Sequence, residues 1–397
     1  MPSSRLIKTL LVAVMALFLA ACGGGGGGGG GGQGGGTGGG GGGGDTGGGG
    51  GGDTNDDPLG PVGTLEEEQD RLFLTIGMQI IEPGYSAMKV SMDDLATSAT
   101  QYCADPANGD LAALNEAWRQ AMLDWQAIEI VRFGPVEEDA RRLRLQFFPD
   151  ANDAVVNNTT QILDGMDPID EALVASSPVG AQGLPAIEYL LFELGGLDDA
   201  VNGSRRCELL VAVAQNLATI AGELATAWSA SGQLMADFTS ASGVYMDRVE
   251  VLTEVLESMA LETEFVADEK ITRPLAVGAA SAESFRSENS LANLEANAAA
   301  LRQWLDLGPE DTDYGLSDYL RRAEEADSIS NQLDDQLTVI EDNIVAIDET
   351  LEQLILTDPS AAAIDAVRST MQDLADSFID AAIAADVSLG FNNQDGD

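Results

Sequence analysis

Glu188 is the side chain of this sequence best placed to do chemistry. It is the only charge in the run Gly183-Leu184-Pro185-Ala186-Ile187-Glu188-Tyr189-Leu190-Leu191-Phe192. A lone carboxylate among apolar neighbours is costly unless it is hydrogen-bonded, paired or bound to a metal. Leu184 and Leu191, four before and three after it, share its helical face. A second candidate group ends a tryptophan stripe. Leu111, Leu114, Trp118, Met122, Trp125 and Ile128 recur at three- and four-residue steps, with Arg132 closing the stripe and Glu129 beside it. Charges in such a place form an ordinary interhelical salt bridge, or line a cleft, or carry function. The chemistry on offer is that of carboxylates and guanidinium: proton acceptance, hard-cation ligation and bidentate ion pairing. The chain contains no histidine, so the commonest metal ligand and the commonest general base are both missing. Neither a Ser-His nor a Cys-His nucleophile pair can be assembled.

These residues need helices to position them. The chain is rich in Ala, Leu, Glu and Asp, and no run alternates well enough to predict a strand. Periodicity and breakers predict helices near 65–82, 85–102, 110–132, 136–147 and 167–176. Another begins near Pro185, which suits a first helical turn because its missing N–H has no partner to lose there. Further helices are expected near 204–231, 243–264, 280–305, 315–354 and 360–386. Pro83-Gly84, Asp105-Pro106, Gly134-Pro135, Gly308-Pro309 and Asp358-Pro359 punctuate them. The roughly 330 residues from Leu65 onward are many for one core. They are divided into an N-terminal helical bundle, 65–235, and a C-terminal one, 236–397, with Met235 to Gly243 as the passage between them.

The chain opens with a basic start (Arg5, Lys8), an apolar stretch from Leu10 to Leu19 and then small residues. Residues 1–21 therefore read as an export signal, too short for a permanent membrane span. The ending Leu19-Ala20-Ala21-Cys22 resembles the lipobox of bacterial lipoproteins, which implies lipid on Cys22 and attachment to a membrane. Gly23, which is not Asp, implies sorting to the outer membrane, with the body facing the periplasm. Residues 22–64 are mostly glycine, which has no side chain to bury and the most backbone entropy to lose. Such a linker is a flexible tether with a reach of roughly 35 Å. If Cys22 carries lipid, Cys103 and Cys207 are left over. In an oxidising compartment they read as a disulfide, the alternative being two buried thiols. The bridge would close a loop of about a hundred residues and add about 4–5 kcal/mol.

The net charge of −47 disfavours nucleic acid, whose phosphates would be repelled. It leaves a solvated acidic shell, in keeping with only three lysines (Lys8, Lys89 and Lys270), or the collection of cations.

The run Gly183 to Leu191 resembles the signature of imelysin-like proteins, Gly-x-His-x-x-Glu, followed by Tyr/Phe-Leu-Leu. Trp118 with Trp125, Arg132-Phe133-Gly134-Pro135, Phe148-Pro149-Asp150, Glu283-Ser284-Phe285-Arg286-Ser287 and the ending Leu389-Gly390-Phe391-Asn392 with Asp395-Gly396-Asp397 are similar to the same group, in the same order. The resemblance covers about 68–397. It implies an all-α fold of two helical-bundle halves, an envelope location, a motif near the cleft between the halves, and a role as a peptidase or in iron uptake. One position departs from it: Pro185 stands where the family has histidine, so only Gly183 and Glu188 of the motif carry over, and a His/Glu zinc site cannot form. The expected site therefore gathers Glu188, Glu129, Arg132 and Gly183, with Glu188 and Arg132 satisfying each other. Arg286 and Ser287, carried over from the resemblance, supply the opposite wall. If the ligand is a metal, Glu188, Asp395 and Asp397 would hold a hard cation such as iron or calcium. The resulting reading is a non-catalytic, ligand- or metal-binding accessory lipoprotein tied to iron uptake, with iron-uptake or other envelope proteins as partners. The alternatives are an imelysin-type peptidase and a structural envelope protein with no small ligand.

Overall fold

A computed structural model of the chain describes residues 58–150, 152–193, 204–307, 314–358 and 361–390. The signal, Cys22 and nearly all of the tether lie outside the described residues, as do Asp395 and Asp397.

The described residues are helical, with no strand among them. Thr64 opens the first helix, α1 (Leu65–Thr75), with a reciprocal capping box: its hydroxyl accepts from Glu67 N–H while the Glu67 carboxylate accepts from Thr64 N–H. The chain runs on through a widened π turn, Ile76–Ile81, into α2 (Glu82–Ala104). The break expected at Pro83-Gly84 does not occur. Proline lacks the N–H of a regular helical bond and crowds the carbonyl four residues back, and the wider turn before it accommodates both defects. Gly84 is needed for close packing, since a Cβ there would lie 2.6 Å from the Ile128 side chain.

Asp110 caps α3 (Leu111–Ile128), which buries Trp118 and Trp125 completely. A short α4 (Leu184–Glu188) starts with Pro185 in its first turn and passes into a second π stretch, Tyr189–Glu193. Next comes α5 (Arg205–Ala227), which is long and apolar enough to cross a membrane but packs along α2 in the core. The disulfide Cys103–Cys207 joins these two helices, with Cα atoms 5.4 Å apart.

The second half is built from α6 (Arg248–Phe265), a third π stretch (Val266–Thr272) that again precedes a proline, Pro274, then α7 (Ser290–Asp306), α8 (Leu316–Ala323), α9 (Asp327–Val345) and α10 (Ala362–Ala384). The helix expected over 280–305 begins only at Ser290. Residues 279–289 form tight turns in which Ser284 and Glu288 take positive φ. The stretch expected as one helix over 315–354 is divided between α8, α9 and a short helix, Leu351–Thr357.

In the first half α2 packs on α3 and α5; in the second, α10 packs on α6 and α9. The halves share one apolar core. α7 lies against α3, and the ring of Phe133 stacks on that of Phe238 at 5.6 Å. Met235 to Gly243 is more than a passage between halves, because it carries a helix, Gln233–Thr239, whose Phe238 is fully buried. The sequence pattern also misses Ala154–Asp164.

Candidate functional site

Two buried polar groups form where the halves meet. The first surrounds Lys270, which the π stretch after α6 turns inward. Its side chain is 1 % exposed. Its ammonium donates to Glu129 Oε2 at 2.6 Å, Gln126 Oε1 at 2.5 Å and Asn297 Oδ1 at 3.0 Å, and lies 3.1 Å from Glu283 Oε1. Glu283 also accepts from Gln146 Nε2 at 2.7 Å and Asn293 Nδ2 at 2.7 Å. Gln146 in turn accepts from the Trp125 indole at 2.5 Å. Burial alone would raise the Glu129 carboxyl, but Lys270, Arg142 and Arg132 outweigh it and hold the group below its ordinary range. Burial works against the Lys270 charge, but Glu129, Glu283 and Glu262 reverse this and push its pKa up. Glu283 remains raised, because burial and the Glu129 charge exceed the help from Lys270.

The second group is Glu188, the last residue of α4 and 2 % exposed. Trp118 fixes the start of this helix by donating its indole N–H to the Leu184 carbonyl at 3.0 Å. Glu188 Oε1 accepts from the Ser287 N–H at 3.0 Å and the Ser287 hydroxyl at 2.8 Å. The turn that presents Ser287 is held from the other half by Arg119, which donates to the Ser287 carbonyl at 2.8 Å and to Asn289 Oδ1 at 2.9 Å. Glu188 Oε2 lies 3.8 Å from Arg286, beyond hydrogen-bond reach, and accepts no hydrogen bond from the described residues. Burial pushes the Glu188 carboxyl up to about 7 against the pull of Ser287 and Arg286, and Glu352 adds to the rise. Arg286 is also bonded to Glu193 and lies over the Phe285 ring at 4.4 Å.

Glu188, Pro185 and Arg286 line a cavity of about 390 Å³, as do Gln146 and Glu283 from the lysine cluster. The cavity thus joins α4 of the first half to the 279–289 turns of the second.

The expected site residues are distributed as follows. Ser287 and Arg286 do meet Glu188, as the opposite wall. The expected pairing of Arg132 with Glu188 is corrected by the structure. Arg132 follows the end of α3 and faces α6, where it donates to Glu262 Oε2 at 2.7 Å and its backbone N–H donates to Ser258 Oγ at 3.3 Å. Glu129 belongs to the Lys270 cluster and, like Arg132, is not among the residues lining the cavity. Gly183 allows close packing at the start of α4, because a Cβ would lie 2.6 Å from the Leu145 carbonyl oxygen. Asp395 and Asp397 lie outside the described residues, and no group of three or more acidic or cysteine side chains suited to a metal occurs among the described ones.

Lys270, Gln126, Gln146, Asn293 and Asn297 were missed by the sequence reading. The available signal was the rarity of lysine in the chain, with Lys270 following Asp268 and Glu269 and preceding Ile271.

The family model described as Imelysin, a peptidase family, matches residues 81–379. The chain belongs to the imelysin family. Its fold agrees with solved structures of imelysin-like proteins. One, an imelysin-like protein from Psychrobacter arcticum 273-4, is 19% identical and superposes with a TM-score of 0.69 over 83% of this chain and 99% of its own. Another, from Parabacteroides distasonis ATCC 8503, carries the name of an iron-regulated protein A precursor. It is 18% identical, with a TM-score of 0.67 over 80% of this chain and 95% of its own. Among curated proteins there is no significant match. Within this imelysin, the motif position taken by Pro185 faces the cavity with neither a donor nor a lone pair on its ring.

Proposed function

We propose that this imelysin is a non-catalytic accessory protein of the cell envelope, anchored through lipid on Cys22 to the outer membrane, which holds a small ligand beside Glu188 in the service of iron acquisition. The observation that carries this reading is the cavity itself. It is shared by both halves and has at its wall a buried carboxylate with one oxygen fully bonded and the other left without a hydrogen bond among the described residues. Because Glu188 lines the cavity, a ligand that donates a hydrogen bond can reach this remaining oxygen.

The peptidase reading rests on the family alone. Peptide hydrolysis needs an activated water or nucleophile with a base positioned next to it. Here the cavity offers Pro185 in place of the histidine, and Glu188 is already bonded to Ser287. The link to iron is drawn from the name carried by the Parabacteroides relative.

A decisive experiment compares full-length protein with its Glu188→Gln variant, both purified from iron-limited and iron-replete cells. The wild type should rise in abundance under iron limitation, sediment with membranes unless Cys22 is changed to Ser, and retain a small molecule detectable by mass spectrometry that Glu188→Gln loses. A wild type that retains no small molecule, takes up none, and is indifferent to iron would sink the proposal.

A further inference from the structure

Resting on the reading of this cavity as a ligand site, we propose that its ligand is a small organic amine, whose ammonium is received by Glu188 Oε2 and whose apolar part lies on Phe148 and Phe285. The charge arrangement points this way. Five carboxylates line the cavity (Asp150, Asp153, Glu188, Glu193 and Glu283) against two guanidiniums, Arg273 and Arg286. Arg286 is bonded through Nε to Glu193 and lies over the Phe285 ring, and Arg273 sits 3.5 Å from Glu269 as an ion pair without a hydrogen bond. An anion therefore meets surplus negative charge, five carboxylates against two guanidiniums.

Three of the carboxylates are also committed within the protein. Asp150 accepts from the first two N–H groups of the Ala154–Asp164 helix, at 2.7 and 3.0 Å. Glu283 is held by Lys270, Gln146 and Asn293, and Glu193 by Arg286. Asp153 is exposed at the rim. Glu188 is thus the buried residue of the cavity that keeps a carboxylate oxygen, Oε2, accepting no hydrogen bond from the described residues.

Such an oxygen supplies the charged acceptor for one N–H of an ammonium, whose other N–H groups are left to water, the rim carboxylates and aromatic faces. It suits a bare hard cation poorly, because such a cation draws six or more oxygens to itself, and no acidic group of that kind gathers among the described residues. A volume of about 390 Å³ lies at the small end of ligand cavities. The aromatic wall then adds contact for a hydrocarbon or aromatic body next to the charge.

Full-length protein in detergent would be titrated with four probes of matched size or defined charge: benzylamine, benzyl alcohol, benzoate and calcium chloride. Saturation-transfer NMR would detect binding and calorimetry would measure affinity. Benzylamine should bind at least ten-fold more tightly than benzyl alcohol or benzoate, and calcium should not compete with it at the cavity. Glu188→Gln should abolish that ten-fold preference while circular dichroism stays unchanged, since Gln can still accept from Ser287. The rim variant Asp153→Asn, which keeps a residue tolerant of the left-handed backbone, should weaken benzylamine binding two- to three-fold. Preference for benzoate or calcium in the wild type, or benzylamine binding untouched by Glu188→Gln, would overturn the amine assignment and leave the ligand-site reading standing. Binding of none of the four, together with no retained small molecule, would overturn both.

Discussion

Lys270 and Glu188 lie at the same depth where the halves meet, yet their surroundings treat charge in opposite ways. Around Lys270, one ammonium is bonded or closely paired to two carboxylates and two amide oxygens, and the pKa values of Lys270 and Glu129 both move toward the ionised forms. Around Glu188, two Ser287 donors serve one oxygen, Arg286 stays at 3.8 Å, and burial prevails, so the carboxyl rises to about 7. Burial alone therefore does not mark a functional group. What separates the two is the number of partners each charge has. A matched cluster fixes how the halves pack, whereas a half-matched carboxylate beside a cavity keeps capacity for something from outside. Glu283 and Gln146 belong to the first cluster and also line the cavity, so the rigid region forms one wall of the open one.

Removing Lys270 should produce the largest change. Lys270→Met leaves Glu129 and Glu283 buried without their cation, and loss of one partner from such a pair costs about 3–5 kcal/mol. Urea unfolding at pH 7 measures it. A loss under about 1 kcal/mol would mean that the cluster is solvated and the contrast with Glu188 is false.

Reduction, or replacement of Cys103 and Cys207 by Ala, should come next, at about 2–4 kcal/mol, the range usually measured and below the chain-entropy figure of about 4–5 kcal/mol for so long a loop. The bond spans 104 residues of sequence and ties α2 to α5. Neither cysteine lines the cavity, so ligand binding under native conditions should survive while the melting temperature falls. If binding is lost in step with the melting temperature, the cavity depends on general rigidity and not on its own residues.

The smallest effect has the most informative sign. The folded Glu188 carboxyl titrates near 7, above its ordinary 4.5, so the native state holds a proton that the unfolded chain has released between those values. This group's contribution to stability therefore falls as pH rises from 4.5 to 7 and stays low above 7. Glu188→Gln does not titrate, so it should be more stable than wild type at pH 8 by about 1–3 kcal/mol, with the gap closing toward pH 4.5. Glu129, whose folded value lies below the ordinary one, behaves in the reverse manner: its stabilisation is present above 4.5 and is lost as pH falls further. Thermal melts at pH 5 and 8 test Glu188, and melts on either side of pH 4.5 test Glu129. A Glu188→Gln protein less stable than wild type at pH 8 would show that Glu188 is matched after all and belongs with the lysine cluster.

Much of this organisation is legible in the residues alone. Helical periodicity predicts α3 with its buried tryptophans, and the count of cysteines in a chain read as exported predicts the Cys103–Cys207 bridge, because both are local or combinatorial properties. The isolation of Glu188 among apolar neighbours and the departure at Pro185 are likewise visible without coordinates. The helix break assigned to Pro83-Gly84 is not, because a proline signals a lost hydrogen bond without saying whether the chain will stop or widen into a π turn. Nor is the choice of partners. Arg132 and Glu188 looked complementary, yet Arg132 takes Glu262, 130 residues onward, and Glu188 takes Ser287, 99 residues onward. Lys270 reaches Glu129 across 141 residues. Such pairings depend on where α3, α4 and α6 cross and on the rotation that each widened turn adds to a helix, and neither quantity is written in any local stretch of sequence. The side chains set which charges must find partners, and the packing of the two halves decided which of them did.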